Sequence, residues 1–323
     1  MRLGGQAANL ATVASLGELI ETLNWAEQNQ QEVKVIGDGT NIIWQDSGFD
    51  GLVIVNKLMG FELSGDGVVK ASAGENWDSV VKRTVEQGWS GLECLSAIPG
   101  TAGATPVQNV GAYGQEISKV LVEVEAYDTK AKKTVSISGA DCGFGYRSSR
   151  FKSSDKGRFI ILSITLKLKK DAPTPPFYES LQQYLDANNI KEYTPQTIRD
   201  AVVVIRAEKL PDPSLVANNG SFFTNPVVDK NLADELSKKY PALQSWPNGE
   251  QVKLPAAWLV EQAGFPKDTH DPETGMATWK NQALVLVNEK AKSSADLLKF
   301  KQKIVDAVQN KFGITLEQEP ELI

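Results

Sequence analysis

The sequence predicts an α/β (α+β) chain of more than one domain, and three observations carry that reading. Segments with helical spacing and marked caps alternate with short apolar runs of strand length. Two glycine-bearing turns, at 37–41 and 99–114, join or leave strand-like runs in the first half. A proline-rich joint at 170–176 then separates that half from the rest. The 323 residues leave room for two or three domains, at ~100–200 residues each.

Taken in order, Ser15 followed by Glu18 reads as a helix cap with its partner three residues on. Leu16, Leu19, Ile20, Leu23 and Ala26 keep helical spacing, so a helix is expected to about residue 30. Strands follow at 33–36, 51–55 and 67–73, and then a helix over 76–87 with Asn76 as its cap and Gly88 as its stop. The runs 120–127 and 134–137 face each other as a hairpin, and 159–169 (FIILSITLKLK) is the clearest strand of the chain. Beyond the joint, helices are expected at 195–207, 229–239 and 255–263, and a buried strand at 283–287. A long helix capped by Ser293 then runs through Phe312 and is stopped by Gly313.

Composition narrows the function. Forty acidic against 34 basic residues give a formal charge of −6, with no basic cluster; a nucleic-acid footprint is not expected. No apolar run reaches the ~18 residues of a membrane span, and the first residues lack a signal peptide's apolar stretch. Cys94 and Cys142 form no CxxC and read as buried free thiols of a cytoplasmic protein. His270 is the only histidine. A histidine metal cluster is therefore excluded, and the polar run around His270 reads as a surface loop.

The stretch 99–114 holds four glycines, three alanines and two threonines in sixteen residues. Glycine lets backbone N–H groups come close to a ligand, and concave runs of such amides bind phosphate. A cradle for a cofactor's pyrophosphate and a mobile linker both fit that composition, although Pro106, Gln108, Asn109 and Tyr113 are odd in a spacer. GDGTN at 37–41 is the second such turn. Neither matches a Walker loop or GxGxxG, and plain tight turns remain the structural alternative. Arg147, between a tyrosine and serines in an aromatic-bounded turn, is suited to holding a carboxylate or to lying on the surface. Ser221 is a proton donor or a cap. Without a histidine nearby in sequence it is not a Ser–His nucleophile. Glu321 sits in what would ordinarily be a frayed tail.

In order, GDGTN (37–41), PGTAGATPVQNVGAYG (99–114), FGYRSSRFK (144–152), KLPDP (209–213), NGSFFTNP (219–226), NQALVLVN (281–288) and EPE (319–321) span nearly the whole chain. Together they resemble the UDP-N-acetylenolpyruvoylglucosamine reductases, flavoenzymes of peptidoglycan precursor synthesis. Tyr178 looks like the substrate-loop tyrosine of one subgroup. The resemblance implies a fold of the vanillyl-alcohol-oxidase type, with FAD-binding subdomains at 1–55 and 56–170 and a substrate domain at 171–323. Non-covalent FAD would be held by Gly37, Asp38, Gly39, Thr40 and Asn41. The second loop would add Pro99, Gly100, Gly103, Ala104, Thr105, Asn109, Gly111, Ala112, Tyr113 and Gly114. NADPH is the implied co-substrate, and no metal is implied.

By matched position, Arg147 would stabilise charge on the substrate's carboxyl side, with Glu321 supporting it as an acid or through a hydrogen bond. Ser221 would deliver the proton. Tyr146, Tyr178, Lys209, Asn225 and Gln282 would contact substrate or nicotinamide, with Lys209 on phosphate. The implied product is UDP-N-acetylmuramate, made by a monomer in the cytoplasm. The chain departs from the family pattern at its ends: Met1 stands almost where a first strand should already have begun, and little follows Glu321. Two rivals remain. One is an oxidase of small alcohols on the same fold, whose histidine-linked flavin could use only His270. The other is an inactive sugar-nucleotide-binding protein, against which the joint presence of Arg147, Ser221 and Glu321 argues.

Overall fold

The computed structural model describes residues 1–323, which divide into two compact units. The larger comprises Ala7–Thr40 and Asp50–Arg206; the smaller comprises Met1–Gln6, Asn41–Phe49 and Ala207–Ile323. No helix is long and apolar enough to cross a membrane.

The larger unit holds two sheets. In the first, strand Phe49–Asn56 lies between Ala7–Val13 and Val33–Ile36, and it runs parallel to the latter. Helix Leu16–Gln28 packs on this sheet through Leu19 and Ala26. Ser15 Oγ accepts from Glu18 N at 3.2 Å, while the Glu18 carboxylate takes Ala14 N at 2.7 Å. The strand Ala7–Val13 fills the edge where the sequence left the first strand missing. It escapes pattern reading because Leu10, its largest apolar side chain, points outward and is 69% exposed.

The second sheet is antiparallel, in the order Lys133–Ser138, Leu121–Asp128, Phe159–Lys167, Val68–Ser72, Phe61–Leu63. Its hairpin and its central strand lie where the sequence put them. Phe159–Lys167 is almost continuously apolar because both its faces are buried. Ile160 and Leu162 face the cluster around helix Leu16–Gln28, whereas Ile164 and Leu166 face the one around helix Trp77–Glu86. A register shift between Ile161 and Ser163 accounts for the change of face, since one extra residue inverts the period-two pattern.

Residues 171–206 belong to this larger unit, so the compact units part at 206/207 and not at the proline-rich run. Helices Glu179–Ala187 and Pro195–Lys209 carry Leu181, Leu185, Ile198, Ala201 and Val202 into one cluster with Cys94 and Tyr113. Arg199 adds a two-pronged ion pair to Asp78, at 2.6 and 2.8 Å. Both cysteines are free and buried.

The smaller unit is built on an antiparallel sheet of Asn218–Ser221, Gln282–Asn288, Met276–Trp279 and His270–Asp271. Helices Ala256–Gln262 and Ser294–Phe312 cover it, burying Leu259, Val260, Phe300, Ile304 and Val308 with Leu284 and Leu286. Ser293 and Asp296 form a reciprocal capping box, and Gly313 ends the long helix in the left-handed conformation. His270 is exposed, but it lies in a short edge strand and not in a loop, with Nδ1 2.9 Å from Glu289. The last strand, Glu321–Leu322, pairs in parallel with Ile42–Ile43.

Candidate active site and cofactor cradle

In the larger unit the two glycine turns meet. A Cβ built on Gly37 would stand 2.3 Å from Thr101 Oγ1, so only glycine lets the turns close on each other. Thr40 Oγ1 donates to Pro99 O at 3.5 Å. Gly100 has φ +122, a conformation L side chains rarely adopt. Its carbonyl accepts from Trp77 N at 3.0 Å, which ties the loop to the start of helix Trp77–Glu86. Asn76 caps that helix through Ser79 N at 3.0 Å. Lys57 neutralises Asp38 at 2.6 Å, removing a charge that would repel phosphate. The space a Cβ on Gly39 would enter is open to 4 Å. Closed glycine backbone with open space beside it and no unpaired carboxylate fits the pyrophosphate of FAD.

The rest of the loop is equally constrained. Gly103 lies against Ala73, with its N–H on Ala73 O at 3.0 Å, and Thr105 Oγ1 donates to Ala102 O at 2.7 Å. Ala104 is exposed. Gly111 and Ala112 pair with Gln115 and Glu116 around Tyr113 and Gly114, at φ +48 and +84. Two positive φ values are what a two-residue hairpin turn of type I′ requires. Asn109 Nδ2 donates to Glu116 Oε2 and to Gly145 O, both at 3.0 Å. The stretch is therefore ordered by its own bonds, which excludes the mobile-linker alternative.

Through Asn109 the loop reaches the turn that carries Arg147. Gly145 and Ser148 exchange backbone hydrogen bonds at 3.0 and 3.2 Å, leaving Tyr146 and Arg147 at the tip. Arg147 has φ +51 and donates from Nη2 to Gly111 O at 2.7 Å. A non-glycine residue in this region carries strain of ~1–2 kcal/mol, and such outliers concentrate at functional sites. Its guanidinium also lies 5.3 Å from the Tyr146 ring. Tyr178, at the start of helix Glu179–Ala187, meets Tyr113 edge to face at 5.8 Å. Burial pushes both phenols above their usual pKa. Sequence reasoning passed over Arg206, whose Nε donates to Ala97 O at 3.2 Å and whose charge lies near enough to Tyr113 to act on its phenol. Its only signal was a cation beside the apolar stripe of a helix.

In the smaller unit, Ser221 ends strand Asn218–Ser221 opposite Val285, after an irregularity in register. It is half-buried, as are Asn225, Gln282 and Glu321, while Lys209 is exposed. Asn225 Oδ1 accepts from Ala256 N at 2.9 Å, at the first turn of helix Ala256–Gln262, and so does structural work as well. Gln282 opens the central strand, its Oε1 accepting from Leu284 N at 3.3 Å. Asn41 lies in this unit, next in chain to the glycine turn, and its carbonyl accepts from Glu321 N at 2.9 Å. The tail around Glu321 is paired backbone and not frayed chain. Arg147, Tyr146, Tyr178 and nearly all the glycine turns thus fall in the larger unit, and Ser221, Glu321, Lys209, Asn225 and Gln282 in the smaller.

Residues 7–135 match the model of the FAD binding domain, and residues 212–323 match that of the UDP-N-acetylenolpyruvoylglucosamine reductase C-terminal domain. The chain is 41% identical to the reductase of that name from Alcanivorax borkumensis, over 99% of this chain and 92% of that protein. Its identity to the Ralstonia nicotianae reductase is 39%, over 100% and 95%. In structure it resembles the Thermus caldophilus reductase, with a TM-score of 0.65 at 21% identity over 96% and 90% of the two chains. It also shares its fold with 6-hydroxy-D-nicotine oxidase from Arthrobacter nicotinovorans, with a TM-score of 0.52 at 12% identity over 97% and 83%. The fold is the FAD-binding one of the vanillyl-alcohol-oxidase type, followed by the reductases' own C-terminal domain, as the resemblance implied. A likeness to named reductases that runs end to end in both chains settles the family: the protein belongs to the UDP-N-acetylenolpyruvoylglucosamine reductases.

Proposed function

We propose that the protein reduces UDP-N-acetylglucosamine enolpyruvate to UDP-N-acetylmuramate at the expense of NADPH, with non-covalent FAD, in peptidoglycan precursor synthesis. The observation that carries this reading is the 41% identity to a named reductase over 99% of the chain. Bound FAD would supply two-electron hydride chemistry between NADPH and the substrate's vinyl carbon, and the backbone around Gly37 and Gly100 would hold its pyrophosphate.

The remaining chemistry belongs to side chains. Hydride addition at one carbon of the enolpyruvyl C=C bond leaves negative charge delocalised toward the carboxylate. Arg147 is the donor for that charge, and such a preorganised donor is worth ~3–4 kcal/mol. Its bond to Gly111 O and its turn geometry support the role, since they hold the guanidinium in one place. Glu321 supports the same charge. Ser221 gives its hydroxyl proton to the adjacent carbon, which completes the saturation of the double bond. Lys209 pairs with the substrate diphosphate, and Tyr146, Tyr178, Asn225 and Gln282 complete the contacts to substrate and nicotinamide. A cytoplasmic monomer belongs to the same proposal.

Stopped-flow absorbance tests it. The purified protein is expected to be yellow, with a flavin band that NADPH bleaches and the enolpyruvyl substrate restores. Protein that takes up no FAD, or whose reduced flavin is not reoxidised by that substrate, overturns the reading.

A further inference from the structure

Residues 317–323 are tied into the smaller unit along two edges. On one side Thr224 N donates to Glu317 O at 3.0 Å, Glu319 N donates to Phe222 O at 2.8 Å, and Phe223 bridges to Gln318. The segment is thus zipped to the backbone that directly follows Ser221. On the other side Glu321 N donates to Asn41 O at 2.9 Å, Ile323 N to Ile43 O at 2.9 Å, and Gln45 N to Ile323 O at 2.8 Å. The change of partner falls across Pro320, which is buried and has no N–H to give either side.

Two side chains serve this change-over: Asn41 Nδ2 donates to Glu319 O at 3.4 Å, ahead of Pro320, and Gln318 acts on the carbonyl after it. Gln318 Nε2 donates to Pro320 O at 2.9 Å, and its Oε1 accepts from Lys301 Nζ at 3.2 Å. Lys301 stands on helix Ser294–Phe312, whose capped and buried length makes it a fixed support. The carbonyl held by Gln318 belongs to the peptide that joins Pro320 to Glu321. The tilt of that peptide sets the direction in which the Glu321 side chain leaves the backbone. The backbone pairing holds that peptide by its N–H, through Glu321 N to Asn41 O, and the Gln318 amide holds its other end, the Pro320 carbonyl.

We propose that Gln318, braced by Lys301, is a positioning residue for Glu321. The inference rests on the role given to Glu321 above. A displacement of ~1 Å at a reacting group can cost as much as about a hundredfold in rate, so loss of this amide is felt in the proton-transfer half of the reaction alone.

The test uses FAD-loaded protein carrying Gln318→Met, which keeps the length of the side chain and removes both hydrogen-bonding functions. NADPH bleaching is expected at the wild-type rate, and reoxidation by substrate roughly tenfold to a hundredfold slower. Amide hydrogen exchange is expected to rise in 317–323 and to stay unchanged in 99–114. Gln318→Glu, which can still accept from Lys301 but as a carboxylate cannot donate to Pro320 O, is expected to share the defect. Lys301→Met gives a smaller effect of the same kind and serves where Gln318→Met fails to fold. Wild-type reoxidation in these variants, or equal slowing of both halves with a lower melting temperature, overturns the inference. Glu321→Gln is the reference: if it too reoxidises at the wild-type rate, the role of Glu321 falls and the inference with it. If Glu321→Gln is slow and the Gln318 variants are not, the inference alone falls.

Discussion

The loop 99–114 of the larger unit and the terminal segment 317–323 of the smaller are both largely irregular backbone held by many hydrogen bonds, yet they are built from opposite materials. The loop has four glycines and no acid or base, and it offers backbone. The terminal segment has three glutamates, a glutamine and a proline, and its proposed contribution is the side chain of Glu321. A site made of amides is indifferent to protonation and intolerant of an added Cβ. A site made of one side chain tolerates bulk nearby and depends on the tilt of a single peptide. Cofactor binding and proton transfer should therefore break separately.

The largest expected loss tests the support under the loop. Trp77 is fully buried and its indole donates to Leu95 O at 3.0 Å. Trp77→Ala should lower stability by ~3–5 kcal/mol and release FAD, as read by denaturant unfolding and flavin fluorescence. Retained stability would show that the helix start does not carry the loop. Next comes Gly37→Ala, whose Cβ would collide with Thr101 Oγ1 at 2.3 Å. A cost of ~1–3 kcal/mol with weaker FAD binding is expected, and Thr101→Ala in the same chain should restore part of it. Additive losses in the double variant would contradict the collision.

Smaller effects depend on pH. Burial pushes the Asp78 carboxyl up, but the Arg199 hydrogen bonds and the Ala97 N–H outweigh it and hold it below the usual carboxylate range. The pair therefore stabilises the protein above the unfolded aspartate pKa of ~3.9, and that stability is lost as pH falls through the lower folded value. Asp78→Asn should unfold more readily than wild type near neutrality and converge with it in acid; a difference independent of pH would sink this account. The smallest change concerns His270, held above the usual histidine value first by its hydrogen bond to Glu289. Its contribution is fully present below ~6.5 and disappears as pH rises through the folded value. His270→Gln should lower the melting temperature slightly at pH 6 and leave it unchanged at pH 9.

How much of this was legible follows the physics of each element. The caps at Ser15, Asn76 and Ser293 announced their helices because the capping partner lies three residues away in sequence. Phe159–Lys167 was legible because burial on both faces leaves an unbroken apolar run. Strand Ala7–Val13 was not, since Leu10 faces outward. Helix Glu179–Ala187 was not either, for only Leu181 and Leu185 mark its buried face. Strand Glu321–Leu322 is two residues long and exists only through a partner some 280 positions away in sequence. The motifs placed Arg147, Ser221 and Glu321 on the page, but not Gln318 or Lys301, whose work is visible only as hydrogen bonds.

The central claim is that the glycine turns hold the cofactor while Ser221 finishes the reaction. Stopped-flow absorbance of FAD-loaded Ser221→Ala tests it most directly. The flavin should bind and be bleached by NADPH as in wild type, and reoxidation by the enolpyruvyl substrate should slow by ~10²–10⁴-fold, the worth of a positioned proton donor. Reoxidation at the wild-type rate, or a flavin that NADPH no longer bleaches, would contradict it.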